Sequence, residues 1–122
     1  MFQGLRTVVY HVADMERAKA WYTDLLGTPP YFDEPFYIGF NVAGYELGLQ
    51  PLEGTTGTDK PMSVVTYWGV DDIDAAYARL IQLGATAHDA VMDVGGGIKV
   101  ADVVDPFGNL FGIIFNPHFK LG

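Results

Sequence analysis

Asp105-Pro-Phe-Gly-Asn-Leu-Phe-Gly-Ile-Ile-Phe115 reads as a turn followed by a strand. Pro106 fixes φ, and Gly108 and Asn109 tolerate positive φ, so the chain reverses there. The apolar run from Leu110 to Phe115 then extends. The same arrangement occurs once earlier, at Asn41-Val-Ala-Gly-Tyr-Glu-Leu-Gly-Leu49. Aligning Gly44 with Gly108 places Leu47 on Phe111, Gly48 on Gly112 and Leu49 on Ile113. One half of the chain is thus a faded copy of the other.

The rest of the chain supports the duplication. A strand is expected over residues 5–12. Asp14 then caps a helix whose Met15, Ala18, Tyr22, Leu25 and Leu26 follow the 3.6-residue period, and Gly27 stops it before Pro29 and Pro30. Strands follow near 31–33, over 36–42 and over 45–50. Residues 51–61 are rich in Gly, Thr and Pro and read as a linker. The pattern then restarts, with a strand over 63–69 and a helix capped by Asp72, carrying Ile73, Ala76, Tyr77, Leu80 and Leu83 on one face, and stopped by Gly84. Strands over 85–91 and 98–104 flank the Gly95-Gly-Gly97 loop. A shift of 58 residues carries Val12 onto Val70, Asp14 onto Asp72, Met15 onto Ile73 and Ala18 onto Ala76. The expected fold class is α+β: two tandem βαβββ modules forming a curved mixed sheet around a central cavity. The whole of 1–122 makes a single domain, with module 1 at about 1–51, the linker at about 52–61 and module 2 at about 62–117.

Composition narrows the function. The 122 residues carry 15 acidic and 7 basic side chains, for a net charge of −8. That balance argues against a nucleic-acid or anionic-membrane partner. There is no cysteine, which removes disulfides, thiolate metal sites and thiol nucleophiles and suits a cytoplasmic protein. No apolar run reaches membrane-spanning length. Gly95-Gly-Gly97 lacks the Lys-Ser/Thr of a phosphate loop and precedes a strand. Ser63, the one serine, has no Ser-His-Asp context.

Alternation assigns the inward face. If Leu47 and Leu49 meet a helix, Glu46, Gly48 and Gln50 face the cavity. Thr7, Val9 and His11, then Val65, Tyr67 and Gly69, and Leu110, Gly112 and Ile114 do likewise. His11 is either a strand-end histidine bonded to backbone or a ligand contact or general base; imidazoles titrate near neutral pH. Glu46 is either a rim residue in water or an acceptor or base for a ligand. His88 and His118 read as surface. Trp21 and Trp68 read as helix-side packing, and Phe36, Tyr37 and Phe111 are open to either use. Gly48 and Gly112 mark either the close approach of a ligand or a bulge.

Val12-Ala-Asp14, Trp21-Tyr22-Thr-Asp-Leu-Leu-Gly27, Gly69-Val-Asp71-Asp-Ile73 and Asp105-Pro-Phe-Gly108-Asn, in this order and duplicated, resemble the vicinal oxygen chelate superfamily. It includes glyoxalase I, bleomycin-resistance proteins, fosfomycin-resistance enzymes and extradiol dioxygenases. The resemblance covers nearly the whole chain. It implies paired βαβββ modules around a cavity, usually in a homodimer, and a divalent metal held by one side chain from each of four strands. Glyoxalase-like members use His or Gln, Glu, His and Glu; those places fall here on Thr7, Gly48, Val65 and Gly112. None supplies the usual donor. The expectation is therefore a protein without metal or other cofactor that binds a small, largely apolar or aromatic molecule. The expected lining is Val9, Val65, Val103, Leu110 and Ile114 with Thr7, His11, Asn41, Glu46, Gln50 and Tyr67, and with Gly48 and Gly112 opening space. Whether it is an enzyme is left open. The alternative is a glyoxalase-type lyase or isomerase, or a dioxygenase, with a non-standard metal site and Glu46 and His11 as the catalytic candidates. A plainer third reading is an interaction module whose groove is filled by its own side chains.

Overall fold

The computed structural model describes residue 3, residues 5–52 and residues 65–118. The chain divides into two compact units, Met1–Lys60 and Pro61–Gly122. The linker expected over 52–61 lies outside the described residues except for Leu52.

The first unit runs β1 (Thr7–Val12), α1 (Met15–Leu26), β2 (Phe32–Glu34), β3 (Tyr37–Val42) and β4 (Tyr45–Pro51). Its sheet has the order β1-β4-β3-β2, with β1 parallel to β4 and the other pairs antiparallel. The Asp14 carboxylate accepts the Arg17 N–H at 3.0 Å, satisfying one of the donors a helix start leaves open. Gly27 ends α1 at φ 73°. Ala43 and Gly44 both take positive φ between β3 and β4, the geometry a two-residue hairpin needs. Tyr22 of α1 is fully buried and sits among Tyr10 and Phe40, at ring-centroid distances of 6.0 and 6.4 Å. Val12, Ile38, Leu47 and Leu49 complete that apolar layer. The helix-covered face of the sheet is therefore the even positions of β1 and β3 and the odd positions of β4.

The second unit repeats the plan: β5 (Tyr67–Gly69), α2 (Ile73–Gln82), β6 (Thr86–Gly95), β7 (Ile98–Val104) and β8 (Leu110–Phe115), in the order β5-β8-β7-β6. β5 is parallel to β8 and the remaining pairs are antiparallel. Asp72 caps α2 through the Ala75 N–H, 3.1 Å away. Ile73 and Leu80 of α2 are buried, as are Ala101, Val103, Phe111 and Ile113 of the sheet, and Trp68 stacks on Phe111 at 6.4 Å. The turn Asp105-Pro-Phe-Gly-Asn closes on the buried Asp105. Its carboxylate accepts the N–H groups of Phe107 and Asn109 at 2.9 and 2.8 Å, while Gly108 takes φ 88°.

The α+β class and the two βαβββ modules stand as expected. β1 starts at Thr7 instead of residue 5, β2 to β4 shift by a residue at one or both ends, and two strands differ more. β5 occupies only Tyr67–Gly69; of the expected 63–69, residues 63 and 64 lie outside the described residues, and 65 and 66 are not strand. β6 runs on to Gly95 instead of ending at 91. Gly96 and Gly97 make a two-residue turn at φ 64° and 79°, so pairing continues to the tip. Among the described residues no helix is long and apolar enough to cross a membrane.

Candidate functional site

Strand register places the expected lining of the first unit on one face, opposite α1. Thr7 pairs with Glu46, Val9 with Gly48, and His11 with Gln50. Across β3, Asn41 pairs with Glu46 and Gly39 with Gly48. Thr7, His11 and Asn41 are exposed, and Val9, Glu46 and Gln50 half-buried. Asn41 also has a local duty: its Oδ1 accepts the Gly44 N–H at 2.8 Å and so braces the β3–β4 turn.

The centre of this face is built from two glycines and two tyrosines. Gly39 and Gly48 stand opposite each other on neighbouring strands. A Cβ on Gly48 would come within 2.6 Å of Tyr37 Cζ, and one on Gly39 within 3.3 Å of the Tyr31 ring. The absent side chains are what let both rings lie down on the sheet. From there the Tyr31 and Tyr37 hydroxyls each donate to one oxygen of the Glu46 carboxylate. Burial raises the Tyr37 pKa above the usual phenol value, which keeps its hydroxyl a donor. Phe32 and Phe36 continue the aromatic surface, with Phe32 6.1 Å from Phe36 and 6.2 Å from Tyr37.

In the second unit Tyr67 pairs with Gly112, and Ile114 with Gly69. Leu110 pairs with Val104, and Asp102 with Gly112. Val65 lies ahead of β5 in no strand. Val103 is a correction: it pairs with Phe111 and is fully buried, so it belongs to the layer under α2 and not to the opposite face with Gly112, where Leu110 is buried as well. Gly112 is also roofed. A Cβ there would meet Thr66 O at 2.5 Å and Tyr67 Cδ1 at 2.7 Å. In both units the space over the strand glycine is taken by a tyrosine of the chain itself.

The metal places implied by the resemblance can be tested on these contacts. Valine and glycine offer no donor atom, and a threonine hydroxyl is a poor neutral one. At Gly48 and Gly112 the room for a longer side chain is occupied by Tyr37 and by Tyr67 with Thr66 O. Neither pair of places, Thr7 and Gly48 in the first unit or Val65 and Gly112 in the second, offers the His nitrogen or carboxylate oxygen that such an ion takes.

A different cluster lies on the second unit's sheet. The alternation of β6 slips between Ala87 and Asp89, and the displaced His88 turns its Nδ1 to Asp102 Oδ1 at 2.6 Å. Asp102 is only 3 % exposed, and its carboxylate also accepts the Asp89 N–H at 3.0 Å. The bond to Asp102 raises the His88 pKa, with smaller contributions from the Asp102 and Asp89 charges. The ligand-type atoms of His88, Asp89 and Asp102 lie within 4.8 Å of one another, the grouping among the described residues that could hold a cation. His118, also exposed, has Nε2 2.7 Å from Gly96 O.

Tyr31, Tyr37, His88, Asp89 and Asp102 thus join the site residues that alternation named. The facing Gly39–Gly48 pair was the available signal for the tyrosines. His88 carried none, because the sequence does not say where the register of β6 slips.

This fold is widely shared. The chain is 21 % identical to a glyoxalase-related enzyme from Fulvimarina pelagi, with 99 % of this chain and 94 % of that one covered at a TM-score of 0.78. A fosfomycin resistance protein from Mesorhizobium loti aligns at 14 % identity over 97 % of this chain and 96 % of that one, TM-score 0.75. A lactoylglutathione lyase from Agrobacterium tumefaciens aligns at 17 % identity over 98 % and 100 %, TM-score 0.74. At such identities the likeness is one of fold. No curated protein matches the sequence. The profile of one family matches residues 4–113, nearly the whole chain, and with the doubled βαβββ plan it settles the assignment: the chain belongs to the Glyoxalase/Bleomycin resistance protein/Dioxygenase superfamily.

Proposed function

We propose that this superfamily member works without a metal and binds a small, largely apolar or aromatic molecule on its open sheet faces. The observation that carries the reading is the first unit's centre. Where the resemblance places a ligand-bearing strand position there is Gly48, covered by Tyr37, whose hydroxyl is committed to Glu46. A pocket of this type is apolar with a few placed polar groups for orientation. On the first unit's face Val9 supplies the first kind, and Glu46, Gln50 and His11 the second; on the second unit's face Ile114 supplies apolar surface and Tyr67 a hydroxyl. Glu46 acts here as an anchor rather than as a base, since each of its oxygens already accepts a tyrosine hydroxyl.

The test pairs two measurements on purified protein. Elemental analysis is expected to find Zn, Ni, Mn and Fe far below one per chain. The neutral fluorophore N-phenyl-1-naphthylamine is expected to bind saturably. A stoichiometric metal, or no uptake of the fluorophore, overturns the reading.

A second reading, a glyoxalase-type lyase or isomerase or a dioxygenase with a non-standard metal site, draws on His88, Asp89 and Asp102. A bound metal lost on Asp102→Asn would establish it. A homodimer accompanies either reading. β6 is the edge strand of its sheet and leaves Met92 and Val94 more than half exposed, the kind of edge that a second copy covers. Light scattering at micromolar concentration should return twice the 13.4 kDa chain mass.

A further inference from the structure

We propose that the ligand of the first unit's open face is a cation, a small ammonium-type molecule with an apolar or aromatic body, held by the Tyr31–Phe32–Phe36–Tyr37 rings with the Glu46 carboxylate bonded to the two tyrosine hydroxyls. This rests on the reading of that face as a small-molecule site and adds the sign of the ligand's charge.

Three observations carry it. The first is exposure: Tyr31 is 64 %, Phe36 65 % and Phe32 39 % exposed, and the three belong to one short hairpin. Contiguous exposed aromatic surface of this kind marks a place where something binds.

The second is ring arrangement. Phe32 meets Phe36 at an interplanar angle of 67° and Tyr37 at 58°. Tyr31 crosses Gly39, and Tyr37 crosses Gly48. The rings therefore do not stack flat into one another but present faces in different directions. The face of an aromatic ring carries the negative end of its quadrupole and attracts a cation.

The third is charge. Both tyrosine hydroxyls donate to Glu46, which fixes a carboxylate at the edge of the ring cluster. Glu34 pairs in register with Tyr37 and stands on the same face. Lys19 is paired with Asp33 at 3.0 Å and Glu16 at 3.3 Å, and the Arg6 guanidinium turns to the Gln3 carbonyl at 2.8 Å. An anionic ligand would meet two carboxylates, and a neutral one would leave them without a counter-charge. A second copy of the chain would set Glu34 and Glu46 against its own acidic surface, given a net charge of −8.

The probes are benzyltrimethylammonium, its neutral carbon isostere neopentylbenzene, and benzoate, each titrated calorimetrically. The cation is expected to bind about tenfold tighter than the isostere, with benzoate not binding. Glu46→Gln removes the charge while keeping one acceptor oxygen for the tyrosines, and it should cut the preference several-fold; Phe36→Leu keeps apolar area and should weaken the cation more than the isostere. Unchanged far-UV circular dichroism confirms that both variants fold. Equal binding of cation and isostere, or a preference unchanged by Glu46→Gln, overturns the charge assignment while leaving an apolar site in place. Binding of neither probe, with a metal found at one per chain, fails the parent reading instead. Loss of the dimer mass on Phe36→Leu would assign the rings to a second copy and overturn the proposal.

Discussion

Gly48 and Gly112 occupy equivalent places in the two units, yet a methyl group would be received differently at each. At Gly48 it would press on the Tyr37 ring, with Cζ at 2.6 Å, and the obstacle is a side chain that can rotate away. Leaving would free the Glu46 oxygen that Tyr37 satisfies, but Glu46 is half-buried and water can replace the donor. At Gly112 the nearest obstacle is Thr66 O at 2.5 Å, backbone that also accepts the Gly112 N–H at 2.8 Å. That carbonyl cannot retreat without breaking the pairing that holds β5 to β8. Gly48→Ala should therefore cost about 1–2 kcal/mol and Gly112→Ala about 3 kcal/mol or more, on the scale of overpacking in close-packed sites. Urea denaturation midpoints of the two variants check the order. A Gly112→Ala protein as stable as Gly48→Ala would mean that the β5 backbone yields. Only Gly48→Ala should also alter binding on the first unit's face, since only it displaces Tyr37.

The elements were legible in the sequence to different depths, and β6 shows why. The helices announce themselves through Asp14 and Asp72, whose carboxylates do accept the N–H groups three residues on, and through Gly27 and Gly84 at positive φ. The β3–β4 and β7–β8 hairpins are equally plain, because their turns need Gly44 and Gly108. The face of a strand is legible only where its partner's register is known. Val103 alternates correctly along β7, but its side follows from pairing with Phe111, which no periodicity states. In β6 three register slips interrupt the period of two, so a strand of ten residues reads as a shorter one. The same slips bring His88 to Asp102. The raised His88 pKa has a definite sign for stability: protonated His88 binds Asp102 more tightly in the folded chain than in the unfolded one. That contribution is fully present below the unfolded histidine value of about 6.5. It is lost as pH rises through the higher folded value. The imidazole proton shifts of His88 should thus titrate above those of a free histidine, and Asp102→Asn should move that titration down toward the ordinary histidine value. A His88 titration unchanged by Asp102→Asn would show that the 2.6 Å contact does not persist in solution.

At the scale of the molecule, one plan repeated twice carries two different chemistries. The first unit sets Gly39 opposite Gly48 and fills the space with tyrosines; the second sets Asp102 opposite Gly112 and ties it to a histidine. Both centres lean acidic, and so does the chain, at −8. A protein of that charge draws cations toward it from beyond contact distance, over a range set by salt. The Debye length shrinks from about 30 Å at 0.01 M to about 8 Å at 0.15 M. If the aromatic face takes a cation, the affinity of benzyltrimethylammonium should fall several-fold across that interval, because the charges beyond the ring cluster stop contributing. What remains at 0.15 M should be the short-range part, from the rings and Glu46, and it should fall further on Glu46→Gln. Neopentylbenzene, which senses none of the field, should bind equally at both salt concentrations. Calorimetric titrations at the two ionic strengths separate the contributions. A cation affinity that ignores salt would confine the electrostatics to Glu46 and its neighbours, and a neutral affinity that fell with the cation's would place the salt effect in the protein and not in the ligand's charge.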